Sequence, residues 1–88
     1  MAEILEQRGI VSFLLYLLRN EGKPLSVIVE EAGINRTTVY NVINRLLQTG
    51  LIKEDYEKGF PRRRIFRLTE KGRKVAEKLL EIEELMKG

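Results

Sequence analysis

The chain has 88 residues, 43% of them hydrophobic and 33% charged, with a formal net charge of +3. That length makes one domain, residues 1–88, the default and leaves a modest core, burying about two-thirds of the surface the unfolded chain exposes. Cysteine and histidine are both absent, which excludes disulfides, thiolate and imidazole metal sites and the usual general base, so no cofactor and no enzymatic site are expected.

The opening MAEILEQRG lacks the basic start and small-residue cleavage site of a signal peptide. The longest apolar stretch, IVSFLLYLL from Ile10 to Leu18, is far shorter than the ~20 residues that span a bilayer. A soluble, cytoplasmic protein with no membrane partner is expected. Residues 3–21 read as one helix. Between Ile10 and Leu18 only Ser12 is clearly polar, so this helix is apolar nearly all round and needs cover on more than one side.

Lys23-Pro24-Leu25-Ser26 reads as a turn into a short extended piece, with Ser26 as cap for a helix over residues 27–32 that Gly33 closes. Asn35 caps the next helix, RTTVYNVINRLLQT, and Gly50 stops it. Its β-branched content suggests a strand, but Val39, Val42, Ile43, Leu46 and Leu47 recur at i, i+3, i+4, i+7 and i+8, which is a helical stripe. Thr37, Tyr40, Asn41, Asn44 and Gln48 fall on the opposite face.

LIKEDY (51–56) and RRIFRL (63–68) read as strands joined by a glycine-containing loop, hence a hairpin. Strand alternation puts Ile65 and Arg67 on one face, and Arg64, Phe66 and Leu68 on the other. Thr69 caps a last helix. Its seam of Val75, Leu79, Ile82 and Met86, spaced 4, 3 and 4, suits pairing with another helix. Charge is segregated along this half: Lys58 to Lys74 holds eight basic residues and one acid, a window of +7 against −4 for the remainder. Such segregation is the footprint of a polyanion binder.

Two helices joined at Gly33-Ile34-Asn35, the second with a polar outer face, make a helix–turn–helix. EEAGINRTTVYNVINRLLQTGLIKE followed by RRRIFRLTEKGRK resembles the winged helix–turn–helix of bacterial and archaeal transcription regulators, nearest to the MarR-like and PadR-like groups. The resemblance rests on Thr38-Val39-Tyr40, Arg45-Leu46 and Gly50-Leu51-Ile52, and on the wing exit Leu68-Thr69-Glu70-Lys71-Gly72-Arg73. It covers roughly residues 10 to 75. The implied fold class is mainly α with a small β-hairpin (α+β): helix–turn–helix about 26–50, wing about 51–68 and C-terminal helix about 69–88.

The resemblance implies a double-stranded DNA partner and a repressor. Arg36, Thr37, Thr38, Tyr40, Asn41, Asn44 and Arg45 on the second helix are the candidate base and backbone contacts. Asn pairs with adenine, Arg with guanine, and a Thr methyl meets the thymine methyl. Lys58, Arg62, Arg63 and Arg64 on the wing are candidates for a minor groove or for phosphates. The two terminal helices are expected to form a homodimer through Ile4, Leu5, Val11, Leu15 and Leu18 on the first and Val75, Leu79, Ile82 and Met86 on the last. Few residues are left for a separate effector pocket, and no effector is identified. Two other uses fit the same residues: a winged helix that docks an acidic protein partner, and a chromatin-like protein that binds DNA without sequence preference.

Overall fold

A computed structural model describes residues 2–88. A 3-10 turn over Ala2–Glu6 leads into α1 (Ile10–Arg19), α2 (Leu25–Glu31), α3 (Arg36–Gln48), β1 (Ile52–Tyr56), β2 (Arg64–Leu68) and α4 (Glu70–Lys87). Four α-helices and a two-stranded antiparallel hairpin make the expected α+β winged helix.

The single helix predicted over residues 3–21 is broken at Gly9. This residue stands at φ +91°, and a Cβ there would lie 3.0 Å from Val42 Cγ2 and 3.1 Å from Thr38 Cγ2. Only glycine can turn the chain in the left-handed region while passing this close to α3. From there α1 buries Ile10, Phe13, Leu14 and Leu17, a stripe at i, i+3, i+4 and i+7 that enters the core. Two more of its apolar residues, Val11 and Leu15, adjoin α4, which supplies the second cover that the sequence demands.

The second helix starts at Leu25, not after Ser26. Pro24, at φ −65° and ψ 153°, is its N-cap, and its carbonyl accepts from the N–H groups of Val27 and Ile28 at 3.0 and 3.1 Å. Ser26 sits exposed in the first turn with no capping bond. The extended piece expected here reduces to a single bridge between Pro24 and Ile65. The cap on α3 is as predicted: the Thr38 N–H donates to Asn35 Oδ1 at 2.8 Å. Period wins over β-propensity, and Val39, Val42, Ile43 and Leu46 are buried.

The hairpin pairs Ile52 with Leu68 at its base and Tyr56 with Arg64 at its outer end. The base is core and the outer end is solvent: Ile52 and Leu68 are buried, while Lys53 to Tyr56 are exposed. Thr69 joins wing to helix. Its hydroxyl accepts from the Gly72 N–H at 3.0 Å and donates to the Gly50 carbonyl at 2.7 Å. Residues from all these elements meet in one apolar cluster, with Phe13, Leu14, Ile28, Val42, Leu46, Phe66 and Ala76 at its centre. Among the described residues no polar or charged side chain is buried, so the core holds by apolar packing alone. No helix among them is long and apolar enough to cross a membrane.

Candidate nucleic-acid interface

The burial of one stripe of α3 forces the other outward. Arg36, Thr37, Tyr40, Asn41, Asn44 and Arg45 are exposed, and Gln48 extends their face by a turn. Among the described residues, the side chains of Arg36, Thr37, Asn41 and Asn44 hydrogen-bond to nothing in the chain, so their donors and acceptors stay available. No acid occurs between Gly33 and Ile52. Thr38 differs from its neighbours. It is half-buried, its N–H is taken by the Asn35 cap, and its methyl lies beside Gly9.

The wing arginines are not alike. Arg64 donates from Nε and Nη2 to the two oxygens of Glu54, at 2.8 and 3.1 Å. Its guanidinium also lies over the Phe66 ring, 5.2 Å from the centroid, as the strand alternation requires. This bidentate bond holds the Glu54 carboxyl below its ordinary value and raises the Arg64 guanidinium, so both partners favour the ion pair. Arg63 Nε donates to Glu57 at 2.5 Å. Arg62 stacks on the Tyr56 ring at 5.3 Å, and the exposed Lys58 has no ion pair among the described residues. On the opposite face, Ile65 is buried beside Pro24 and Arg67 lies against Gly22.

Folding therefore spends part of the basic window internally. Arg63, Arg64 and Arg73 pair with Glu57, Glu54 and Glu21, which all lie outside that window in sequence, and Lys74 pairs with Glu70. Lys58, Arg62, Arg67 and Lys71 keep no carboxylate partner among the described residues. Sequence reading missed Glu54 and Glu57. The strand register carried the signal, because Glu54 faces Phe66 and so sits diagonal to Arg64.

The terminal apolar residues separate into two sets. Ile4 and Leu15 are already buried by the chain's own packing, and Leu5, Leu18, Val75 and Leu79 are half-buried against the core. Val11, Leu15, Leu79, Ile82 and Met86 line one groove between α1 and α4, and Leu5, Val75, Leu79 and Ile82 line a second between the 3-10 turn and α4. Beyond Leu79, α4 leaves the core: Ile82 is 52% exposed, Leu85 80% and Met86 83%.

Comparison with known proteins agrees with this geometry. The F-93 protein of SSV1 has a similar structure, at 30% identity and TM-score 0.74, over 88% of this chain and 87% of its own. A SlyA-like transcription regulator from Listeria monocytogenes matches at 25% identity and TM-score 0.83, over 98% of this chain and 59% of its own. A putative MarR family regulator from Listeria monocytogenes, complexed with 26mer DNA, matches at 25% and TM-score 0.81, over 94% of this chain and 56% of its own. The chain thus spans little more than half the length of these two regulators. No curated protein matches it. The winged helix–turn–helix regulator expected from the motifs is borne out. The family described as sugar-specific transcriptional regulator TrmB matches residues 11–72, from α1 through the wing to the first turn of α4, and the chain belongs to that family of transcriptional regulators.

Proposed function

We propose that this protein binds double-stranded DNA as a homodimer in the cytoplasm and represses transcription by occluding a promoter. The observation that carries the reading is the outward face of α3, where the Arg36, Thr37, Asn41 and Asn44 side chains are exposed and free of internal hydrogen bonds, on a helix with no acid of its own. In the major groove these groups supply the donors and acceptors that distinguish base pairs. Arg36, Thr37, Asn41 and Asn44 are assigned to base edges, and Tyr40 and Arg45, on the flanks, to phosphates. Lys58 and Arg62 are assigned to the groove or backbone beside the wing. Arg63 and Arg64 bring less free charge to phosphate, because Glu57 and Glu54 already occupy part of each guanidinium. The DNA complex of the Listeria MarR-type regulator supports the assignment, since the two share a fold over nearly all of this chain.

The exposed Ile82, Leu85 and Met86 support a dimer through α4. Two-fold symmetry places two copies of α3 about one DNA turn apart, on a pseudo-palindromic site. The test is fluorescence anisotropy of a labelled random duplex titrated with protein at several salt concentrations. Affinity that falls with a log–log slope of about −0.9 per phosphate contacted supports the reading. Folded protein that fails to bind at low salt removes it, and directs attention to an acidic protein partner instead.

A further inference from the structure

We propose that Phe60, at the tip of the wing, is an apolar wedge that enters the minor groove of bound duplex DNA and stacks on its bases. The inference rests on the DNA-binding reading above and adds a contact of different chemistry from its polar and cationic ones. The chain has three phenylalanines. Phe13 and Phe66 are wholly buried, whereas Phe60 is 98% exposed and forgoes the burial its counterparts gain.

The wing is built to hold that tip out. Its neck is closed by a backbone bond from the Glu57 N–H to the Arg63 carbonyl, 2.9 Å, and by the Glu57–Arg63 ion pair alongside. Below the neck, Glu54 clamps Arg64, and the strands descend into the core at Ile52 and Leu68. What remains is the segment Lys58-Gly59-Phe60-Pro61-Arg62, with two cations, one aromatic ring and no acid. Arg62 is steadied from behind by the Tyr56 ring. Cations that draw the tip to phosphates, with an aromatic ring between them, suit a groove walled by phosphates and floored by stacked bases. A lipid surface fits less well: a single ring anchors weakly, and it would leave the polar face of α3 without a role.

The chain has no tryptophan, so Phe60→Trp places one indole at the tip. The probe is a random-sequence duplex of 26 base pairs, the length of the DNA in the Listeria complex. We expect indole emission to be quenched and shielded from acrylamide as the duplex saturates the protein. We expect Phe60→Ala to bind roughly tenfold more weakly with the salt slope unchanged, because stacking is lost and no charge is removed. Unchanged emission and acrylamide access at saturation, or equal affinity of Phe60→Ala, overturns the wedge while leaving the DNA reading intact. Failure of the wild-type protein to bind overturns both. An emission shift on phosphatidylglycerol vesicles with none on duplex gives the tip to a membrane and likewise overturns the wedge.

Discussion

The Glu54 carboxylate grips the Arg64 guanidinium through both oxygens, 2.8 Å from Nε and 3.1 Å from Nη2, so the wing carries its own counterion. The bond also governs a pH dependence. Arg64's hydrogen bond holds the Glu54 carboxyl below its ordinary value of 4.5. A carboxyl depressed by folding stabilises the native state above its unfolded value, and that contribution is lost as pH falls through the folded one. Glu54→Gln should therefore flatten the acid limb of the stability curve below about pH 4.5. Both side chains are partly exposed, so the expected loss at neutral pH is only about 0.5 kcal/mol. Thermal melts of both proteins across the acid range check the sign.

Gly72 is required by close approach, not by an unusual backbone angle. A Cβ at this position would stand 1.8 Å from the Leu51 carbonyl oxygen, where the first turn of α4 crosses the entry to the wing. Neither backbone can yield without breaking the Thr69 N–H bond to that same carbonyl. Gly72→Ala should cost about 3 kcal/mol, which for a domain of this size lowers the melting temperature by more than about 10 °C. A melting temperature within a few degrees of wild type would show that the approach is looser than described.

Base reading and phosphate clamping make separable demands on DNA binding. Asn41→Ala should cost about 1–3 kcal/mol on a selected site and little on random duplex. Arg62→Ala should weaken every sequence and reduce the salt slope by about 0.9. Arg63→Ala should do less than Arg62→Ala, because the charge of its guanidinium is already partly neutralised by Glu57. Anisotropy titrations on selected and random duplexes, each at several salt concentrations, order the three variants.

Ile82 lies on α4 beyond its last core residue and lines both grooves, one against α1 and one against the 3-10 turn. Ile82→Glu removes apolar area from the proposed dimer surface while leaving the chain's own core untouched. It should give a monomer in sedimentation equilibrium at concentrations where the wild type is dimeric, with unchanged helical circular dichroism. A wild type that sediments as a monomer would sink the dimer outright.

Much of the fold is legible in the spacing of the residues. The period of Val39, Val42, Ile43 and Leu46 marked α3 as a helix despite its β-branched residues, because side-chain direction repeats with the helical turn whatever the local propensity. Asn35 and Thr69 announced their caps, since a side-chain oxygen three residues before a free N–H is a local matter. Gly9 was visible as punctuation, yet the break it makes depends on Val42 and Thr38, which are distant in sequence.

From α3 onward the helices, the hairpin and the faces they bury were readable from the residues alone, because they follow from spacings of three, four or two residues along the chain. Which charges stay available depends instead on how the chain packs. The basic window reads as +7 in sequence, but Glu21, Glu54 and Glu57 are brought to Arg73, Arg64 and Arg63 by strand register and helix crossing. Ion pairs form across space with no regard to sequence distance, so linear charge could point to the wing but could not say that Lys58 and Arg62, with Phe60 between them, are the groups it holds out.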